Sequence, residues 1–518
     1  MTAPLAPPLT DAAMHKEAQR LLLLGDEINA FLPQGRAEFL RPWRGKVEAW
    51  IAHPELESLT GEQALHALAL ELRYRWLQHS HLQSDRYMMS PPHNQRKRLP
   101  DLQAFGFPYD RWLKPTYLER RLNAVRAAPQ GWKAESVVFS SGMSAITTLL
   151  QHHHATGDNF WPSPRKGLAL HWFGGYFELM RTLRLVCVGG FKGRLHAKQE
   201  TLNQAVAQGK DDIVLIEPVA ADIDLDVFDL EAFIEAWKQR DVERACMVVV
   251  DTSLTGDAFP LHRLCTDTGP RPPALVVHLS SGLKLDQEGL ELSNVGLVTL
   301  YMPDDDKNAK RLERVAESLR QARTTMGASL SEDEYAALSA PFFLSAPSLH
   351  RHAQAIFANN AKFAQALAPF AKTEGGLWTR IIHPSLSLHK DKAWAVSPFV
   401  NLRYAHDRQT FTEAEKEGEA RDVLRAVLEF EADKRGLVFQ SGSSFGFRGH
   451  RFEMGFVRGV KTDSLRLALG SRSGPSFDGV IKLFQDLAVF EDFTALRQAY
   501  PGVWAARLKA RSRTRLPK

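Results

Sequence analysis

The sequence predicts an α/β protein: a mostly parallel sheet with helices on both faces, followed by a smaller α+β domain. Two observations carry that expectation. Between about residues 101 and 345, short apolar runs alternate with stretches of helical period. Beyond about 345, one long helical pattern leads into a mixed region of shorter strands and helices. With 518 residues, 44% of them hydrophobic, the chain is long enough for more than one core. The expected division is a helical N-terminal extension over 1–100, a large α/β domain over 101–345, and a small α+β domain over 346–518 with a basic tail.

The extension opens on a Pro-rich tip and then shows helical periodicity over about 13–31 and 61–79. Residues 87–100, YMMSPPHNQRKRLP, carry three prolines and the run Arg96-Lys97-Arg98, which suits a connecting loop. In the large domain the expected strands are 136–140, 168–172, 183–188, 213–216, 246–250, 275–279 and 295–301. Helical patterns at 143–152 and 229–239 lie between them. In the small domain, helices are expected at 349–367, 413–434 and 477–489, with strands at 399–404 and 465–469. The terminal ARLKARSRTRLPK lacks an apolar face and reads as a disordered tail.

Composition excludes several classes. Lys+Arg of 65 against Asp+Glu of 60 leaves a formal charge of +5, too little for a nucleic-acid binder of this length. Cys187, Cys246 and Cys265 form no CxxC pair and read as buried free thiols, two of them in strands. No apolar run approaches the roughly 18 residues of a membrane span, and the opening segment lacks a basic n-region. A soluble, cytoplasmic protein is expected. His152-His153-His154 reads as a surface cluster, and Asp222, Asp224 and Asp226 as a strand edge or turn; no metal site is expected.

Four stretches carry candidate chemistry. ALVVHLSSGLKLDQEG, residues 274–289, is an apolar strand running into serines, a glycine and Lys284, where α/β folds place their ligands. A lysine there is either a solvated loop residue or an amine whose pKa a dry pocket lowers. Ser140-Ser141-Gly142-Met143-Ser144 follows a strand and opens a helix, which is either an ordinary cap or an anion cradle. Asp251 ends the strand Val248-Val249-Val250, as a cap or as the partner of a cationic ring nitrogen. Arg466, inside Leu465-Arg466-Leu467-Ala468-Leu469, needs an anion: an internal carboxylate or a substrate carboxylate.

Taken together, these stretches resemble the Cys/Met-metabolism family of pyridoxal-phosphate (PLP) enzymes, the fold-type-I group of the cystathionine synthases and lyases. Tyr109-Asp110-Arg111-Trp112-Leu113-Lys114-Pro115-Thr116 resembles the family's Y-x-R-x-x-N-P-T, and SSGMSA its SSGMAA. Phe173-Gly174-Gly175-Tyr176 is similar to Y-G-G-T, RLALG to R-L-S-V-G, and the helix near Asn360 to R-x-x-x-H-x-x-N-A. The likeness spans about residues 105–490. It implies that Lys284 carries the cofactor and moves the α-proton, and that Asp251 pairs with the pyridine nitrogen. It implies further that Ser141, Gly142, Met143 and Ser281 bind the phosphate, and that Phe173 stacks on the ring. Arg466 would take the substrate carboxylate. Tyr109 and Arg111 would reach the neighbouring subunit's phosphate, making a homodimer or a dimer of dimers.

Departures point to a divergent specialist, with secondary metabolism as its setting. Phe173 stands where the family has a tyrosine hydroxyl, and Leu283 where it has a threonine. Glu217-Pro218-Val219-Ala220 replaces E-T-P-S-N-P, and QSGSSFGF over 440–447 looks more like an aminotransferase loop. The expected activity is Cα deprotonation of an amino-acid substrate by Lys284, followed by β- or γ-elimination or replacement. Without a hydroxyl at position 173, a substrate with a self-sufficient leaving group, such as the sulfonium S-adenosylmethionine, is favoured. The alternatives are transamination or other carbanion chemistry on the same scaffold, and a catalytically retired binding or regulatory relative.

Overall fold

Apolar runs without polar alternation suit strands covered on both faces, and here they form the centre of a seven-stranded sheet. The computed structural model describes residues 13–82, 90, 97–155, 168–188, 190–240, 245–372, 375–404, 413–454 and 464–503. The basic tail and most of the proline-rich loop fall outside them. Three helices open the described chain: α1 (Ala13–Phe31), α2 (Arg41–Ile51) and α3 (Leu59–Leu82). A short hairpin, β1 (Lys97–Arg98) and β2 (Ala104–Phe105), leads to α4 (Thr116–Val125).

The large sheet contains β3 (Trp132–Phe139), β4 (Leu168–Phe173), β5 (Phe191–Leu195), β6 (Ile213–Ile216), β7 (Met247–Asp251), β8 (Leu275–Ser281) and β9 (Gly296–Pro303). Its order is β3-β9-β8-β7-β6-β4-β5. Only the pairings of β9 with β3 and β8 are antiparallel. The carboxyl ends of β4, β6, β7 and β8 therefore share one edge, which gathers their following loops. Helix α5 (Gly142–Ala155) starts directly after β3 at that edge. The long helix Ala346–Leu367 leads to a five-stranded sheet ordered β10 (Trp378–Ile382), β11 (Val400–Tyr404), β14 (Ser464–Ala468), β13 (His450–Met454) and β12 (Phe439–Ser441).

One expected strand is a helix. Residues 183–188 alternate like a strand, yet Phe177–Val186 is helical, with Leu179, Thr182, Leu183 and Val186 buried at spacings of three and four. The strand comes later, as β5, and Cys187 lies in neither. The long helix Asp306–Thr325, capped by the Asp305 side chain, escaped the sequence pattern because its outward face is densely charged. His153 is buried and His152 is half-buried against Ser318 Oγ at 2.7 Å, so the histidine run is not a surface cluster. Asp222 closes a turn by accepting from Asp224 N and Leu225 N, both at 2.9 Å.

The N-terminal helices pack into one apolar core with Leu113, Leu290, Leu292, Val295 and Phe342. They also bring charge to the back of the lysine turn. Arg448 donates to both Glu17 oxygens, at 3.0 and 2.8 Å, and to Glu288 O at 3.1 Å. Arg20 Nε donates to Glu288 Oε2 at 2.9 Å, and Arg472 Nε lies 3.5 Å from Glu17. Burial alone would raise the Glu17 carboxyl, but Arg448, Arg472 and Arg20 together hold it at about 2. Its ordinary value is 4.5, so its stabilising contribution is full above that pH and fades as pH falls towards 2.

Replacing Glu17 with alanine strands two buried guanidiniums. The expected loss is about 3–5 kcal/mol in urea unfolding at neutral pH. The gap between wild type and variant should narrow in acid; a gap independent of pH would refute the network's role.

Candidate active site

Lys284 is delivered by the end of β8. The strand stops at Ser281, and a tight turn follows in which Lys284 N donates to Ser281 O at 3.2 Å. The Lys284 side chain is half-buried; its Nζ donates to Ser444 Oγ and lies 5.2 Å from the centre of the Phe445 ring. Burial lowers its pKa, with Glu291 and Glu178 pulling the other way. A lowered pKa enlarges the neutral-amine fraction that can attack a carbonyl or accept a proton.

The loop carrying Ser444 fits only because of a glycine. Gly446 has φ +92°, and a Cβ there would stand 1.7 Å from Lys284 O. His352, fully buried, donates from Nε2 to Gly446 O at 2.9 Å and pins the loop from behind. Ser444 itself sits at φ +76°, strained for a residue with a side chain, at the point of contact with the amine.

Asp251 ends β7, one strand over from Lys284. Ser253 supplies its hydrogen bonds, including a backbone N–H at 2.9 Å, and burial raises its pKa. No Lys or Arg among the described residues forms an ion pair with it. Ser141, Gly142 and Met143 form the β3–α5 turn, where Ser141 N donates to Ser144 Oγ and Ser144 N to Ser141 Oγ, at 2.9 and 3.0 Å. A Cβ on Gly142 would come within 3.1 Å of the Ser281 Cβ, so the turn lies directly against the end of β8. The first N–H groups of α5, beside the hydroxyls of Ser141 and Ser281 at the cavity wall, are the kind of donor set that receives an anion.

Arg466 enters from β14, with its guanidinium 4.3 Å over the Phe399 ring. Its internal partner is Glu453 on the neighbouring strand, at a loose 3.8 Å. Asn360 holds this end of β14 by donating to Leu469 O and accepting from Leu469 N, at 2.8 and 3.1 Å. Lys284, Asp251, Ser141, Gly142, Met143, Ser281 and Arg466 all line one cavity of about 350 Å³.

Three expected site residues are elsewhere. Phe173 is in the core, 5.4 Å from the Phe228 ring, and does not line the cavity. Side-chain alternation along β4 turns it away. Tyr109 and Arg111 lie on an exposed turn, with the guanidinium 5.1 Å over the ring, and do not line this chain's own cavity.

Sequence reasoning passed over Tyr176, Glu178, Glu217, Ser253 and Ser444, which line the same cavity. Ser444, Tyr176 and Glu217 stand inside the quoted motifs QSGSSFGF, Phe173–Tyr176 and Glu217–Ala220. Glu217 accepts from Gly175 N, Tyr176 N, Ala221 N and Trp172 Nε1, at 2.8–3.2 Å, and burial pushes it up to about 7. A Cβ on Gly174 would lie 2.4 Å from Glu217, so glycine lets the turn close over the carboxyl.

No protein-family profile matches this sequence, and no curated protein matches it. Solved structures do match in shape. Cystathionine γ-lyase from yeast is 16% identical, with a TM-score of 0.50 over 80% of this chain and 97% of its own. A methionine γ-lyase from Micromonospora echinospora is 21% identical, with a TM-score of 0.49 over 79% of this chain and 91% of its own. The likeness is one of fold: the chain has the fold-type-I architecture, a mostly parallel large sheet followed by a smaller α+β unit.

Gly446→Ala should cost at least about 2 kcal/mol, from positive-φ strain and overlap with Lys284 O. It should also slow the labelling of Lys284 by amine reagents at neutral pH, measured by mass spectrometry. An unchanged labelling rate would mean that the 440–447 loop does not shape the amine's surroundings.

Proposed function

We propose that the chain is a PLP-dependent enzyme that removes the Cα proton of an amino acid with Lys284 and then eliminates or replaces a group at Cβ or Cγ. One observation carries this: a single cavity holds an amine lowered by burial, a carboxylate lacking a cationic partner, and a donor set for an anion at a helix N-terminus. These residues fit the cofactor. The donor set of Ser141, Gly142, Met143 and Ser281 suits a phosphate, and Asp251 suits a protonated ring nitrogen. When bound, the cofactor supplies an electron sink for the pair released from the Cα–H bond.

This chain's residues supply the rest. Lys284 accepts the Cα proton, and the turn against Gly446 keeps its Nζ directed into the cavity. Arg466 orients the substrate carboxylate, drawing on a guanidinium that Glu453 only loosely engages. Phe399 and Phe445 exclude water around the amine. The yeast protein with this fold is named a γ-lyase, which accords with chemistry at Cγ.

The active unit in this proposal is a homodimer. Tyr109 is 47% exposed and Trp112 52%, on a turn that does not line their own cavity, which supports a role for Tyr109 and Arg111 at the partner's phosphate. The two-domain division at about 345, after the N-terminal extension, belongs to the same proposal. So does a reducing, cytoplasmic setting, which the lack of a disulfide among Cys187, Cys246 and Cys265 suits.

The test is visible absorbance with added PLP, for wild type and Lys284→Ala, against a panel of amino acids. Freed of unbound PLP and before any amino acid is added, wild type should hold a yellow band that borohydride fixes onto Lys284, and the variant should not. Arg466→Ala should raise KM about 10- to 100-fold, the worth of charge-assisted hydrogen bonds. A wild-type protein that stays colourless and takes up no PLP would refute the proposal. Keto-acid release without elimination would replace it with transamination.

A further inference from the structure

We propose that a second cavity, beside the lysine turn, binds a free apolar α-amino acid as a zwitterion, its carboxylate on Arg126 and its ammonium on Asp286. Its occupancy then adjusts how tightly the first cavity holds its cofactor. The coupling rests on the PLP reading above; the binding does not. The second cavity has a volume of about 560 Å³, within the roughly 300–1,000 Å³ of ordinary small-molecule sites. The two cavities share Ser253 and Ser281 as a common wall. At the lysine turn, Lys284 lines the first, and Leu285 and Asp286 line the second.

The polar groups of this second cavity are unspent. Asp286 makes no hydrogen bond or ion pair with any described residue. Arg126, directly after α4, is only 8% exposed. It donates from Nη1 to His278 O at 3.2 Å and from Nη2 to Ser280 Oγ at 2.5 Å. Neither bond brings a counter-charge, and its Nε donates to no described group. The two residues sense each other's charge without forming an ion pair, since one is carried by the lysine turn and the other by the end of α4. Thr255, fully buried in the same lining, has a hydroxyl without a partner among the described residues. Buried charges left unpaired are costly, and two of opposite sign held apart at one cavity fit a ligand that joins them. Burial pushes the Asp286 carboxyl up to about 7, with Arg126 opposing and Asp257 adding. The empty cavity can hold it as the neutral acid, and an incoming ammonium ionises it.

This chemistry selects one class of ligand. A simple anion on Arg126 would face Asp286 and Asp257, and a simple cation on Asp286 would face Arg126. A zwitterion meets both. Leu122, Val125, Leu349, Phe357 and Val396 make the remaining wall apolar, which suits a side chain such as leucine's and rejects a charged one. Asp257, His350 and Gln354 are exposed at the rim and leave a path of entry. A ligand held on Asp286 stiffens the turn that carries the amine. By linkage, the amino acid and the cofactor then change each other's affinity by the same factor.

Equilibrium dialysis of the cofactor-free, full-length chain with labelled L-leucine tests the binding. Arg466→Ala, which lacks the first cavity's carboxylate anchor, should still bind leucine at each chain. Adding Asp286→Asn should weaken that binding about 10- to 100-fold, the worth of a charge-assisted hydrogen bond. Adding Ala353→Trp instead, which fills the cavity from the helix Ala346–Leu367, should abolish it. The two halves of leucine, 4-methylpentanoate and 3-methylbutylamine, should each bind about tenfold or more weakly than leucine, because each leaves one buried charge unpaired. No leucine bound by Arg466→Ala, or binding indifferent to both added substitutions, would overturn the site. The coupling is read with pyridoxine phosphate, which lacks the aldehyde and cannot condense with leucine. Saturating leucine should shift its dissociation constant in Arg466→Ala by about fivefold or more, and Asp286→Asn should erase the shift. An unshifted constant would overturn the coupling alone. A chain that binds leucine as described but takes up neither pyridoxine phosphate nor PLP would overturn the PLP reading, and the coupling with it, and leave the site standing.

Discussion

The position of Lys284 depends on a buried network of ions behind it. Glu17 and Arg20 come from α1, Glu288 from four residues past the lysine, and Arg448 from just after the loop that touches it. Arg472 and Glu62 extend the network, which thus sets three carboxylates against three guanidiniums in a nearly dry region. Taking such charges out of water is costly, and the cost is offset only when geometry and count match. Here the count matches, and the bidentate Arg448–Glu17 contact fixes direction as well as distance. The N-terminal helices thereby brace the segment that carries the amine, from the side opposite the cavity.

That brace explains why the lysine turn can tolerate strain. Ser444 and Glu288 both have positive φ without being glycine, and they flank Lys284 on two sides. Such conformations persist only where the surroundings over-determine them. His352 on Gly446 O, Arg448 on Glu288 O and Arg20 on the Glu288 carboxylate are those surroundings.

Much of this was legible in the sequence. Strands of a sheet covered on both faces are continuous apolar runs, so β6, β7 and β8 could be placed almost to the residue. Lys284, Asp251, Ser281 and the Ser141–Met143 turn were legible because each stands where such a run stops. The misreadings have a common cause in contacts distant in sequence. Leu185 sits in an apolar run yet is 75% exposed, because the helix face and not the strand face decides what is buried. Glu17 and Arg20 look like an ordinary solvated helix face, and only Arg448, 431 positions from Glu17, makes that face an interior one. Tyr176 enters the cavity because Glu217, 41 residues away, gathers its N–H, which no local pattern announces.

Desolvation sets the electrostatics of the whole cavity. It lowers Lys284 and Arg466 and raises Asp251, Glu217 and Tyr176, so each group is pushed towards its neutral form. A site in that condition gains most from a ligand that brings charges of its own, placed opposite each group. A phosphate against the helix N-terminus, a cationic ring nitrogen against Asp251 and a carboxylate against Arg466 would each restore a favoured ionisation. The loose contact of Arg466 with Glu453 fits this pattern: it limits the cost of a buried guanidinium without satisfying it. A substrate carboxylate at hydrogen-bonding distance would out-compete it, and binding energy would then be largest for ligands that complete all three pairs at once.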